Sequence, residues 1–128
     1  MKGKKVFVYW NLHKKLWSLK SCEGKDRGRV IGHQETVFLE DSVFKVSEAG
    51  RRRVLLSKRK NVHAGVVGRV AEIIPVADRY RLFVTYNPYK GPSFVTCADK
   101  LPVESASTVV MYPDRAVSAS DLRFKVLA

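Results

Sequence analysis

The chain is 128 residues long, 45% hydrophobic and 10% aromatic: enough for one buried core, too little for separate catalytic and regulatory halves, and too apolar for disorder. Its 24 lysines and arginines against 12 aspartates and glutamates give a net charge of +12, which favours polyanions, nucleotides or acidic protein surfaces as partners without choosing among them. No apolar run of about 18 residues offers a membrane span, and the N-terminal MKGKKVFVYWNLHKK lacks the apolar stretch and small-residue cleavage site of a secretory signal, so a cytosolic protein with one domain over residues 1–128 is expected.

The charge is uneven. Residues 1–60 hold 16 basic and 6 acidic residues, net +10, while the remainder is net +2. The first half therefore carries the anion-attracting field.

In chain order, Lys5 to Trp10 is rich in β-formers, Asn11 to Lys15 is a polar connection and Leu16 to Lys20 is a second short run, together a hairpin. Cys22 to Arg27, with Gly24 and many charges, is a loop. Arg29 to His33, Glu35 to Glu40 and Ser42 to Val46 alternate apolar and polar positions as short strands do. Ser47 then offers an N-cap, Glu48 complements the positive end of the helix dipole, and the basic run that follows predicts one helix over 48–60. At about 100° per residue, Leu55 and Leu56 flank one direction and Arg52 and Arg59 point between them. Those arginines either snorkel past the leucines into water or meet a phosphate-like anion.

Residues 61–74, NVHAGVVGRVAEII, predict a long buried strand in which Gly65 and Gly68 permit close backbone approach. Their GVVG outline matches a phosphate-clamping GXXG loop, but two valines in a β-run favour plain sheet. Further strands are expected at Tyr80 to Tyr86, near Phe94, at Thr108 to Tyr112 and around Leu122 to Leu127. The fold class is α+β, mainly antiparallel sheet curling toward a barrel, with one principal helix.

Catalytic signatures are missing. His13, His33 and His63 have no zinc-like spacing, no HExxH, GxSxG, Walker or Rossmann fingerprint occurs, and the adjacent Glu40 and Asp41 would point to opposite faces of a strand. His63 reads as a hydrogen-bonded structural histidine. Cys22 and Cys97 lie far apart and fit no metal spacing, and both are expected to be reduced. A binding protein without cofactor or metal fits better than an enzyme.

The stretch VTYNPYKGPSFVT, residues 84–96, is the candidate ligand loop. Aromatic faces suit purine rings, Asn87 can read a base edge or ribose hydroxyl, and Lys90 answers phosphate. Two prolines and a glycine would hold these groups at little entropic cost on binding. Each of Tyr86, Tyr89 and Phe94 alone suits a hairpin core or edge just as well; only the combination favours a ligand.

VFVYWNLHKKLWS (6–18), VSEAGRRRVL (46–55), RKNVHAGVVG (59–68) and VTYNPYKGPSFV (84–95) resemble strings of the phage-encoded anti-Thoeris sponge proteins. That resemblance implies an oligomer, hexameric in some members, in the cytoplasm of the infected bacterial host. It would sequester cyclic ADP-ribose isomers uncleaved, with cyclic trinucleotides as ligands of separate pockets in some members. The family uses arginines, an aromatic ring and an asparagine, and Arg59, Phe94, Asn87 and Arg115 are their nearest counterparts. Arg115 belongs to MYPDRAV, where Pro113 and Asp114 signal a turn. Two other classes share the same field: a basic nucleic-acid-binding module using KKVFVYWNLHKKLW, and an inhibitor docking on an acidic host protein.

Overall fold

Alternating valines build most of the molecule. The computed structural model describes residues 1–72 and 81–126. Strands β1 (Lys5–Asn11), β2 (Leu16–Ser21), β3 (Val30–Gln34) and β4 (Val37–Val46) precede helix α1 (Glu48–Ser57). After it come β5 (Ala64–Ala71), β6 (Leu82–Thr85), β7 (Val95–Thr96), β8 (Val103–Met111), β9 (Val117–Ser120) and β10 (Arg123–Phe124). Residues 73–74, Tyr80 and Leu127, which the sequence assigns to strand ends, lie outside the described residues.

All described strands join one antiparallel sheet in the order β3-β2-β1-β5-β4-β8-β9-β6-β7, with β10 pairing β8. Because side chains alternate faces, Val6 and Val8, Trp17 and Leu19, Val37 and Leu39, Val66 and Val70, Val109 and Met111, and Val117 and Ala119 all enter one core. The sheet bends around that core, and a side chain spans the remaining gap: Trp17 Nε1 donates to the carbonyl of Tyr112, 2.8 Å away and 95 positions along the chain.

The expected barrel does not close. β3 and β7 are the end strands of the sheet and do not pair with each other among the described residues, and β7 holds only two residues between Pro92 and Pro102, too few to carry a closing ladder. The antiparallel, β-rich α+β class stands. The two short strands expected at Glu35 to Glu40 and Ser42 to Val46 are one strand, β4, interrupted by a bulge with Asp41 at φ +48°. The bulge turns Ser42 inward, where its hydroxyl is buried with no partner among the described residues.

Helix α1 starts as expected, with Ser47 Oγ accepting from the Gly50 N–H at 3.2 Å. It ends at Ser57, three residues before the expected end, because Lys58 adopts a left-handed C-cap at φ +61° and its N–H bonds the carbonyl of Val54. Its packed face is also displaced from expectation. Gly50 and Val54 are buried, Leu56 is 80% exposed, and Arg52 and Arg59 face solvent. Gly50 decides this orientation, since a Cβ there would lie 2.3 Å from the Cβ of His63. The helix can approach β5 this closely only along its glycine.

Candidate functional site

Where the curled sheet fails to close, it leaves a cleft of about 270 Å³ lined by Trp10 and Trp17 on one side, Tyr86 and Phe94 on the other, and Arg115 at its charged point. Each wall follows from local structure. Trp10 and Trp17 sit directly opposite on β1 and β2 and pack edge to face at 5.1 Å, the geometry that the quadrupoles of two rings favour. Across the cleft, Phe44, Phe94, Tyr86 and His63 form a row of rings with successive centroids 5.2, 5.3 and 5.4 Å apart.

His63 and Asn61 anchor the end of that row. Asn61 Nδ2 donates to the carbonyl of Gly50 at 3.2 Å, so the amide oxygen faces His63. His63 Nδ1 meets that oxygen at 3.1 Å and the Asn61 carbonyl at 3.2 Å; two acceptors there place the ring proton on Nδ1. Nε2 therefore accepts from the Tyr86 hydroxyl at 2.8 Å. This is the structural, hydrogen-bonded histidine expected from the sequence, and it fixes the orientation of a cleft-lining tyrosine.

Arg115 occupies the turn between β8 and β9 at φ +74°. The Asp114 carboxylate accepts from the Ala116 N–H at 3.0 Å and the Arg115 N–H bonds the Tyr112 carbonyl at 3.0 Å, which shapes the turn. Its guanidinium lies 5.6 Å from the centre of the Trp10 ring, a cation–π contact at the mouth of the cleft.

Of the five residues singled out in the sequence, Phe94 and Arg115 line this cleft. Asn87 and Lys90 do not. Asn87 builds the loop: its side-chain oxygen accepts from the Tyr89 N–H at 2.9 Å and its carbonyl accepts from the N–H groups of Lys90 and Gly91. Lys90 is exposed beside it. The rigidity of VTYNPYKGPSFVT serves docking onto α1, where Arg51 Nε donates to the Pro88 carbonyl at 3.0 Å and Lys58 Nζ stands 5.4 Å over the Tyr89 ring. Arg59 lies just past the helix end, exposed and outside the cleft lining. Trp10 and Trp17, which the sequence assigns to the alternative nucleic-acid hairpin and not to the nucleotide site, also line the cleft; the six residues between them set the two rings opposite each other.

A family model described as Mycobacterium phage L5 gene 82 protein matches residues 1–119. The Gene 82 protein of Mycobacterium phage L5 is 37% identical over 113 residues, covering 84% of this chain and 89% of that protein. The chain belongs to the mycobacteriophage L5 gene 82 family. No solved structure matches. In this gene 82 family member the matched span includes the hairpin, α1, the 84–96 loop and Arg115, so the whole cleft lies within the family's region.

One titration follows from the ring row of this gene 82 family member. Burial pushes the Tyr86 phenol above its ordinary value of 10.0, an effect that Arg51 opposes and Glu48 reinforces. A phenol whose pKa is raised on folding contributes stability that is fully present below the unfolded value and is lost as pH rises through the folded one. Stability of the wild type should therefore fall more between about pH 9 and 11 than that of Tyr86→Phe. Urea titrations at both pH values check this; equal losses would show that the phenol does not couple to folding.

Proposed function

We propose that this gene 82 family member is a non-catalytic nucleotide binder that seats an aromatic base in the cleft and retains its ligand unchanged. Arg115 carries the reading: a preplaced guanidinium at the mouth of an aromatic-walled cleft suits a planar ring with an anionic substituent. At about 270 Å³ the cleft is just below the usual range for a small-molecule site. It suits one base, leaving the rest of a dinucleotide outside and over Arg115. The likeness to anti-Thoeris sponges supplies the finer proposal: a counter-defence protein that sequesters cyclic ADP-ribose isomers in the host cytoplasm, as a homo-oligomer whose neighbouring protomer would cover the exposed half of the ligand.

Calorimetric titration with AMP, ADP-ribose and cyclic ADP-ribose isomers tests the reading, with chromatography of the ligand recovered after heat denaturation. Binding followed by intact recovery is expected. Arg115→Ala should weaken affinity by about tenfold to hundredfold, on the order of 1–3 kcal/mol. Wild-type affinity in Arg115→Ala, or recovery of hydrolysed product, would overturn it. Native mass spectrometry of protein purified from infected cells would report the assembly and any retained nucleotide together.

A further inference from the structure

Beyond the cleft, the chain that leaves α1 carries charge that the fold does not use. Lys58, Arg59 and Lys60 are all exposed, as are Arg52 and Lys90. Among the described residues the ion pairs are Lys4 with Asp26 and Arg69 with Glu23, toward the end of β5 opposite the one that follows α1; none neutralises this group. The left-handed cap at Lys58 turns the chain out of the helix, with the Lys58 ammonium over the Tyr89 ring of the 84–96 loop and Arg59 and Lys60 following it directly in the chain.

The loop supplies a ring at the same place. Tyr89 is 57% exposed, and the Lys58 ammonium stands 5.4 Å over its face. The backbone that carries the ring is fixed by the Arg51 bond to the Pro88 carbonyl and by the Tyr89 N–H bond to Asn87 Oδ1, so the ring is positioned without being buried. Lys90 follows it immediately. On the other flank of the loop, Lys125 Nζ donates to Ser93 Oγ at 2.9 Å.

We propose that this ledge binds single-stranded nucleic acid, with a base stacked on Tyr89 and successive phosphates on Lys58, Arg59, Lys60 and Lys90. A lone exposed ring among cations matches what an unpaired strand offers, an alternation of π-faces and phosphates. A duplex keeps its bases stacked and would leave the ring idle. An acidic protein surface would use the cations but gain nothing particular from an aromatic face held flat beneath an ammonium.

The surface stands apart from the cleft, so the two readings can fail separately. Fluorescence anisotropy of the full chain with a labelled mixed-sequence DNA or RNA strand of about 12 nucleotides measures it across about 50 to 200 mM salt. Binding is expected to fall steeply with salt. Substituting Lys58, Arg59 and Lys60 together by alanine should weaken it at least about tenfold and flatten the log–log salt slope by about 2, as loss of three phosphate contacts requires. Tyr89→Ala should cost about tenfold with little change in slope, and Tyr89→Phe should restore wild-type binding. The triple variant should keep wild-type affinity for nucleotide in the cleft. No salt-sensitive binding to the strand would overturn the proposal. So would equal affinity for duplex, or loss in Arg115→Ala with the triple variant unaffected, which would move the strand into the cleft. Equal affinity of Tyr89→Ala and wild type would remove the stacking role and with it the preference for single strands.

Discussion

Phe94→Ala is expected to cost about 3–5 kcal/mol of folding stability, the range for truncating a buried aromatic side chain. Phe94 is only 8% exposed, and its ring sits between Phe44 at 5.2 Å and Tyr86 at 5.3 Å. Deleting it removes the middle of the ring row and opens a void continuous with the cleft, so neither neighbour can collapse inward without leaving its own contacts. Tyr86 would lose the surface that holds it against His63. The melting temperature should drop by roughly 10 to 20 °C in a chain of this size. Chemical unfolding provides the check, and a loss under about 1 kcal/mol would show that the row is not a packed unit. The consequence for function is direct. Weakened nucleotide binding by Phe94→Ala reports the fold, whereas Phe94→Leu, which refills most of the volume, separates loss of a stacking face from loss of the core.

The sequence reveals elements wherever one face of a strand is wet. The hairpin of β1 and β2 and the cap at Ser47 follow from alternation and turn chemistry, while GVVG, buried on both faces, is recognised as sheet from its β-branched run. β9 is harder to see: Val117, Ser118, Ala119 and Ser120 alternate apolar and polar, but over four residues only, three of them small residues of weak β-preference, and all four are buried. Its outer face is covered by Arg81, whose guanidinium donates to Ser118 and Thr108 across the sheet. The first half of β8, Val103 to Ser107, was missed for a related reason: its small residues resemble loop composition. For the helix, leucines at 55 and 56 signalled the wrong face because periodicity weighs hydrophobicity, whereas the orientation is set by closest approach at Gly50.

The site was legible in parts. Arg115 enters the site through the family resemblance and Phe94 through that resemblance and its place in the aromatic loop, and both line the cleft. Their partners Trp10 and Trp17 come from the opposite end of the chain, and only the curl of the sheet brings them there. The family resemblance assigns Arg59 to the pocket, and Lys90 belongs to it in the sequence as a phosphate-answering lysine of the loop; helix and loop are neighbours in space. The contact between those two elements is real, but it is made by Arg51 and Lys58 and lies outside the cleft.

Gly65→Ala should be the most damaging of the conservative substitutions, with an expected loss of about 3 kcal/mol or more, at or beyond the upper end of ordinary overpacking. Gly65 lies in β5 without a left-handed backbone, so its requirement is for space. An added Cβ would fall 2.3 Å from the carbonyl oxygen of Val8 and 2.8 Å from Phe7 Cζ. The Phe7 ring can swing aside, but the Val8 carbonyl belongs to β1 where it is registered opposite Val66. Moving it pulls β1 away from β5 in the middle of the sheet, and among the described residues the strand ladder joins β2 and β3 to the rest of the sheet through β1. The same movement displaces Trp10, so Arg115 would lose its ring and the cleft one wall. Gly91→Ala is the matched control: nothing lies within 4 Å of its added methyl and its φ is not positive, so it should stay within about 0.5 kcal/mol of wild type. Urea unfolding of the pair, with hydrogen exchange of the β1 and β5 amides, checks both halves of this expectation. Gly65→Ala matching Gly91→Ala in stability, with β1 amides still protected, would mean that β1 and β5 tolerate separation and that the cleft does not depend on their close approach.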